Sequence, residues 1–283
     1  MVPVWVADRN FQPWEGAVML EAIKIRASSL AELFDCPARW EAKYVKGLHL
    51  PASDAARLGT AVHAGAALFD QRIIEGNPLT PDEAAGAVVD AIHHPDEEVD
   101  WGESSPREAE SIALPLHKMY CEQIAPQQSY IAVEAACDDL PIEDVALILT
   151  GTLDRIYETS GCLGIADIKT GKSAVAADGK VNTKGHAAQM GVYELLASRA
   201  TGLPIDAPAK IFGLQVAKTD KGRRAGVGEI SNARSLLVGT DEGPGLLTIA
   251  SNMLHSGLFY GNPKSQICGE KYCPAFHVCR WRR

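Results

Sequence analysis

The chain has 283 residues, of which 46% are hydrophobic and 22% are charged, which is typical of a globular protein and excludes fibrous and disordered classes. No apolar run approaches the roughly 20 residues of a membrane span, and the N-terminal stretch lacks a basic region followed by an apolar one, so we expect a soluble cytoplasmic protein without a membrane partner. The seven cysteines, an odd number, fit a disulfide framework poorly and fit reduced or metal-bound thiols better.

The net charge of −9 is unevenly distributed along the chain. Between Thr80 and Glu110, ten acidic residues stand against one basic residue. From Lys169 to Arg224, ten basic residues stand against four acidic ones. A local basic surface is what phosphate binding needs, so the overall negative charge does not exclude nucleic acid as a partner.

The N-terminal half predicts helices. Ser28 is expected to cap a helix that continues through Cys36 and Pro37 and ends at Gly47. Further helices are predicted at about 54–74, 81–93 and 106–124.

The second half predicts a group of strands followed by a helix that packs back on them. The predicted elements are strands near 129–136, 145–158 and 163–170, a mobile loop at 173–185, a helix at 186–202, strands at 208–217 and 225–230, a helix at about 232–254 and an irregular C-terminal segment. This order of elements indicates an α+β fold.

One predicted hairpin carries a dense group of charges. A turn centred on Ser160 and Gly161 places Asp154 opposite Asp167 on the neighbouring strand, with Cβ atoms about 5 Å apart. Because side chains alternate along a strand, Lys169 faces the same way as Asp167, and the intervening isoleucine faces the core.

Two carboxylates at this short distance repel each other unless a cation lies between them. An all-oxygen site of this kind suits Mg²⁺ or Mn²⁺, which polarises a phosphodiester and lowers the pKa of bound water. Lys169 would then orient that water or stabilise charge on the phosphate oxygens. The alternative is a solvated hairpin face on which Lys169 neutralises two aspartates.

The cysteines near the C-terminus indicate a second metal site. Cys268, Cys273 and Cys279 lie close together in a segment without regular periodicity, and Cys36 is the natural fourth ligand. A zinc site that includes His277 is an alternative, and so are cysteines that bind nothing.

A relaxed P-loop pattern overlaps the predicted strand that carries Asp167. The pattern ends in Gly171-Lys172-Ser173. A P-loop must open a helix immediately, whereas the residues after Ser173 have no amphipathic period. An NTPase that uses Lys172 is therefore an alternative function, and a catalytically inactive DNA-binding protein with a structural zinc site is another.

Several motifs in this order resemble those of the RecB-like nucleases of the PD-(D/E)XK superfamily. The resemblance is closest to the iron–sulfur members, which include CRISPR adaptation nucleases and phage exonucleases. The motifs are SSLAELFDCPARWEAKYVKGL, LGTAVHAGAALF, GTLDRI, ADIKTGK, QMGVY and the C-terminal cysteine triplet.

The resemblance implies a role for each matching residue. His63, Asp154, Asp167 and the carbonyl of Ile168 would bind the metal ion, and Lys169 would be the catalytic lysine. Gln189 and Tyr193 would orient that lysine or contact the DNA backbone. Cys36, Cys268, Cys273 and Cys279 would hold a 4Fe-4S cluster, although the longer spacing between Cys268 and Cys273 leaves zinc open. Glu134 matches an acidic position seen upstream in relatives.

The small neighbours of His63, which include Gly59 and Gly65, would let its helix approach the sheet closely enough for the imidazole to reach the carboxylates.

The resemblance also implies a restriction-endonuclease-like core, a mixed central sheet flanked by helices, in a single nuclease domain over residues 1–283. Its helical part would span about 28–130, its catalytic core 131–255, and its iron–sulfur segment 256–283 together with Cys36. The expected activity is metal-dependent exonuclease action on single-stranded DNA or duplex ends, in recombination, repair or phage DNA processing. Recombination or replication proteins would be partners, in the host cytoplasm if the protein is phage-encoded.

Overall fold

The computed structural model describes residues 21–241 and 243–282, so the N-terminal stretch considered above lies outside the described residues. The helices are α1 (Ala27–Asp35), α2 (Pro37–Trp40), α3 (Asp54–Ile74), α4 (Pro81–His93), α5 (Pro106–Met119), α6 (Ala187–Thr201), α7 (Ala233–Val238) and α8 (Leu246–Ser256). Among the described residues, no helix combines the length and apolar character needed to cross a membrane.

The strands are β1 (Ile23–Arg26), β2 (Ala52–Ser53), β3 (Val99–Asp100), β4 (Tyr130–Ala136), β5 (Leu140–Ile142), β6 (Leu147–Thr150), β7 (Thr152–Thr159), β8 (Cys162–Gly171), β9 (Ala209–Gln215), β10 (Arg224–Ile230), β11 (Gly239–Thr240) and β12 (Gly243–Pro244). Five of them form the central sheet in the order β10-β9-β8-β7-β4. Only β8 and β9 pair in parallel within it, and the other neighbours are antiparallel, so the sheet is mixed as expected. A second sheet has the order β1-β6-β5.

Helices cover both faces of the central sheet, because apolar residues alternate along its strands. Ile156 and Ile211 pack into a core with α1, α6, α7 and α8. Their neighbours Tyr157 and Phe212 pack into a second core with α3, α4 and α5. This three-layer arrangement confirms the α+β fold class, with a mixed sheet flanked by helices.

The β7–β8 hairpin has the predicted register. Arg155 pairs with Ala166 and Thr159 pairs with Cys162, so the turn is centred on Ser160 and Gly161. Both turn residues have positive φ, as a tight two-residue hairpin turn requires. Ile168 is fully buried in the core beneath α3, so Asp167 and Lys169 face the other way.

The predicted continuous helix from Ser28 to Gly47 is wrong. α1 ends at Asp35, and Cys36 is extended (φ −149°, ψ 91°) before α2 begins at Pro37. The residue before a proline is pushed out of the helical region, while proline itself suits the first position of a helix. Ser28 is not the cap either, since Arg26 occupies that position.

Two other predicted elements are also divided. The run predicted as one strand over 145–158 crosses between the two sheets at Gly151, with β6 before it and β7 after it. The helix predicted over 232–254 becomes α7 and α8, separated by the β11–β12 pair. The short strands β1 and β5, which complete the smaller sheet, were not predicted.

The predicted mobile loop between β8 and α6 is packed against the sheet. Val175 and Val181 bridge each other within it, and both are buried. Added Cβ atoms at Gly213 and Gly226 would lie 2.9 Å from these two valines, so the paired glycines make the space in which the loop lies. The Gln215 side chain also accepts a hydrogen bond from the Val175 amide at 3.0 Å.

A buried ion pair joins α3 to β7. Arg155 and Asp70 are both 0% exposed, and the Arg155 Nε donates to Asp70 Oδ2 at 2.8 Å. The Tyr120 hydroxyl donates to the same oxygen at 2.5 Å. Tyr120 begins a π-helical turn that continues α5, so the helix predicted over 106–124 is present with a changed last turn.

We expect loss of one partner of this pair to be far more destabilising than loss of both. Asp70→Leu leaves the Arg155 guanidinium buried without its carboxylate and should lower the free energy of unfolding by about 3–5 kcal/mol. The double variant Asp70→Leu/Arg155→Met should recover part of that loss, since no guanidinium stays buried without its carboxylate, while Asp154 loses one of its cationic neighbours. Urea unfolding of the two variants measures this, and a single variant as stable as the wild type would contradict it.

Candidate active site

Asp154 and Asp167 lie on adjacent antiparallel strands, β7 and β8, in a nearly dry position. Asp154 is 9% exposed and Asp167 is 1% exposed. The Asp154 Oδ2 accepts a hydrogen bond from the Ile168 amide at 3.1 Å, which fixes that carboxylate across the two strands. The structure therefore brings the two predicted carboxylates together at one patch of the sheet.

His63 reaches this patch from α3. Its Nδ1 lies 3.1 Å from Asp154 Oδ2, and its Nε2 lies 2.7 Å from the Ile168 carbonyl oxygen. The helix can come this close because a Cβ added at Gly59 would lie only 3.1 Å from the Thr170 hydroxyl on β8. His63, Asp154 and the Ile168 carbonyl are thus in contact, with the imidazole between two oxygen acceptors, and Asp167 lies opposite Asp154 on β8.

Glu134 joins the group from the edge strand β4. The pairs Val133–Arg155 and Ala135–Leu153 leave Glu134 opposite Asp154. Glu134 has a positive φ of 47°, which is uncommon for a residue other than glycine and interrupts the regular strand at this point. Ligand atoms of Glu134, His63 and Asp154 all lie within 4.8 Å of one another. Two carboxylates, an imidazole and a carbonyl form a donor set that fits Mg²⁺ or Mn²⁺.

The two aspartates titrate in opposite directions. Burial alone would raise the pKa of Asp154, but the charge and hydrogen bond of His63, together with Arg155, hold it below the ordinary value. Burial and then repulsion from Asp154 raise the pKa of Asp167, which the Lys169 ammonium only partly offsets. Burial lowers the pKa of His63, but Asp154 and Asp167 outweigh it, so the net pKa is raised. The imidazole therefore tends to hold a proton among the carboxylates.

Lys169 is held by a chain of polar contacts from α6. Its Nζ lies 2.6 Å from Asp167 Oδ2 and donates to Gln189 Oε1 at 3.1 Å. The Gln189 amide in turn donates to the Tyr193 hydroxyl at 3.0 Å. Gln189 and Tyr193 are four residues apart on one helix face, as the sequence indicated. All of the predicted non-cysteine residues therefore meet at one site.

Arg155 is a neighbour of the site that sequence reasoning missed. Its Nη1 lies 3.9 Å from Asp154 Oδ2, behind the carboxylate. The sequence feature that could have pointed to Arg155 is Asp70. Asp70 follows His63 by seven residues, about two helical turns, and so lies on the same face of α3. His63 and Asp70 contact consecutive residues of β7 from that face.

The four cysteines that the sequence grouped together line one cavity of about 570 Å³ between the α1–α2 junction and the C-terminal segment. Cys36 reaches it because it lies in the extended break between the two helices. The Cys36 sulfur accepts a hydrogen bond from the Asn262 amide at 3.4 Å, and the Ser265 hydroxyl donates to Asp35 at 2.7 Å. These hydrogen bonds hold the C-terminal segment beside Cys36.

The cysteine sulfurs of this cavity are spaced more widely than the ligands of a single zinc ion. Tetrahedral zinc with Zn–S bonds of about 2.3 Å would need sulfurs roughly 3.8 Å apart. Among the described cysteines, no three hold their sulfurs within 4.8 Å of one another. His277 is exposed and lies 3.0 Å from Glu270, so it does not face the cavity as a zinc ligand would.

The P-loop pattern has no structural counterpart. β8 ends at Gly171, and the packed loop follows it until α6 begins at Ala187. No helix begins at Ser173, so the helix N-terminus that a P-loop uses to bind phosphate is missing at this position.

One comparison with known proteins identifies the family of this chain. The model of the PD-(D/E)XK nuclease superfamily matches residues 25–280, which include the carboxylates, His63, Lys169 and all four cysteines of the cavity. A comparison with curated proteins found no match. The family match confirms the superfamily that the motifs suggested. The chain therefore belongs to the PD-(D/E)XK nuclease superfamily.

Proposed function

We propose that this nuclease is a metal-dependent deoxyribonuclease that removes nucleotides from single-stranded DNA or duplex ends. The observation that carries the proposal is the convergence of Asp154, Asp167 and Lys169 with His63 at one patch. The preference for ends, and a role in recombination, repair or phage DNA processing with recombination or replication proteins as partners, rest on the resemblance to RecB-like nucleases.

In this proposal His63, Glu134, Asp154, Asp167 and the Ile168 carbonyl hold Mg²⁺ or Mn²⁺. Such an ion, when bound, polarises the phosphodiester and lowers the pKa of the attacking water. Glu134 is added to the ligand set that the sequence predicted, because its carboxylate lies within 4.8 Å of the donors of His63 and Asp154.

Lys169 orients the attacking water and stabilises charge on the phosphate oxygens. Gln189 accepts a hydrogen bond from its ammonium, and Tyr193 accepts one from the Gln189 amide, so the lysine is held in one orientation. A group that is already oriented loses no reorganisation energy when the reaction occurs. We assign Gln189 and Tyr193 this positioning role.

We also propose that Cys36, Cys268, Cys273 and Cys279 hold a 4Fe-4S cluster that ties the C-terminal segment to the first two helices. The single cavity that all four cysteines line supports this, as does the hydrogen bond from the Asn262 amide to the Cys36 sulfur. Amide donors to sulfur are among the interactions that tune such clusters.

Replacing Lys169 should abolish most of the activity, whereas replacing Lys172 should not. Lys169→Ala removes the group that orients the water, and kcat should fall by about 100-fold or more. Lys172 is exposed and follows β8, so Lys172→Ala is a matched control that should retain activity within a few-fold. Release of nucleotides from end-labelled DNA measures both. Dependence on Lys172 with indifference to Lys169 would instead favour the NTPase alternative.

Metal affinity should fall as the pH falls. The pKa values of His63 and Asp167 are both raised, and each must lose its proton to bind a cation. Below these pKa values a proton competes for each ligand, so Mn²⁺ affinity should drop by roughly tenfold per pH unit for each proton released. Because the pKa of Asp167 is raised to about 6, calorimetric titration with Mn²⁺ at pH 8, 7, 6 and 5 tests this, and an affinity that does not change over this range would contradict it.

Protein purified without oxygen should be brown and contain about four iron atoms per chain. Cys273→Ala should lose the visible absorption, whereas Cys162→Ala, a change at an exposed cysteine outside the cavity, should keep it. Elemental analysis distinguishes the metals. Stoichiometric zinc with negligible iron in the wild type would contradict the cluster.

A further inference from the structure

The C-terminal segment is positively charged although the chain as a whole is negative. Residues 257–282 contain a single acidic residue, Glu270, against four cationic side chains, Lys264, Lys271, Arg280 and Arg282. Glu270 is already engaged by His277 at 3.0 Å. A surface of this charge attracts a polyanion.

Two of these cations lie over aromatic rings. The Arg280 Cζ is 4.7 Å from the centre of the Trp281 ring, and the Arg282 Cζ is 4.5 Å from that of Phe276. Neither guanidinium forms an ion pair with any carboxylate of the described residues. A guanidinium held over a ring keeps its N–H edge available, and that edge matches two oxygens of one phosphate.

Exposed aromatic rings accompany the arginines. Tyr272 is 49% exposed and Trp281 is 39% exposed, next to Val278 at 81%. Arginine and aromatic side chains that alternate on a surface are the pattern on which single-stranded nucleic acid binds, with phosphates on the cations and bases on the rings. A protein partner would not require the two arginines to stay unpaired.

Lys271 in the same segment contacts the helix that carries His63. Lys271 Nζ is 3.8 Å from the carboxylate of Asp54, the first residue of α3. His63 is nine residues further along this helix, about 14 Å along its axis. A single strand a few nucleotides long can span the distance from the Lys271–Asp54 contact to His63.

We propose that Arg280 and Arg282, together with the rings of Phe276, Trp281 and Tyr272, form a binding surface for the backbone of a single DNA strand whose end lies at the candidate active site. We call this group the C-terminal arginine surface. The proposal rests on the proposed function, since it adds a second contact for the same substrate.

The test is equilibrium binding of a fluorescent oligothymidylate to the cluster-containing protein without added divalent metal, so that no cleavage accompanies binding. Arg280→Gln/Arg282→Gln should weaken binding by about tenfold or more. The slope of log K against log salt should become shallower by roughly 1.4, since each lost single-strand phosphate contact removes about 0.7. Arg107→Gln changes an exposed arginine in the acidic segment and should alter neither quantity.

Trp281→Ala keeps both charges but removes the ring beneath Arg280. It should weaken binding while changing the salt slope less than the double arginine variant does. Trp281→Phe should restore binding. If the double arginine variant loses its visible absorption, Arg282→Gln alone carries the test with an expected slope change of roughly 0.7.

Unchanged affinity and salt slope in the arginine variants would overturn the proposal, and that result would leave a protein partner as the occupant of this surface. If those variants bind normally while the wild type degrades DNA, the surface proposal fails and the nuclease proposal stands. If they lose binding while the wild type degrades no DNA, the opposite holds.

Discussion

Two carboxylates buried side by side need positive charge around them. Asp154 and Asp167 are 9% and 1% exposed on neighbouring strands, where an isolated pair of charges would be costly and one of them would be protonated. The protein surrounds them with His63, Lys169 and Arg155, each of which lies within 4 Å of an aspartate oxygen. The raised pKa of Asp167 indicates that these cations do not fully offset its burial and the repulsion from Asp154. A divalent cation would complete the compensation, and the hydrogen-bonded neighbours hold its ligands in position beforehand.

Helix α3 organises much of this arrangement. Asp54 at its start contacts Lys271 of the C-terminal segment, His63 contacts Asp154, and Asp70 contacts Arg155. The last two contacts lie on one helix face about two turns apart and meet consecutive residues of β7. The buried Asp70–Arg155 pair therefore fixes the distance between helix and sheet on which the His63 contact depends. A change at Asp70 would move the imidazole as well as destabilise the fold.

The sequence predicts local features of this site well and long-range ones less well. The hairpin register follows from the turn at Ser160 and Gly161 and from strand alternation, both of which are local, so the positions of Asp154, Asp167 and Lys169 were predictable. The resemblance to known nucleases was needed to bring His63 and Gln189 to them, because they come from separate helices.

The features that the sequence did not predict are those in which contacts with distant residues, or a single residue, override the local sequence pattern. The helical pattern around Cys36 outweighed Pro37 in the prediction, although the proline ends the helix and turns the thiol toward the cavity. The apolar run through Gly151 does not indicate that its two halves, β6 and β7, belong to different sheets. The sequence indicated Glu134 only weakly as a site residue. Its position depends on a positive φ within a strand, which no local sequence pattern predicts. Arg155 was missed because its partner Asp70 is 85 residues away in the chain.

The central claim is that one divalent ion is shared by His63, Glu134 and the two aspartates. Crystals of the protein soaked in Mn²⁺ test it directly through the anomalous scattering of manganese. We predict an anomalous peak at coordination distance from His63, Glu134, Asp154 and Asp167, which disappears in Asp154→Asn. A manganese peak at a different group of residues, or an active crystal with none at this patch, would contradict the account.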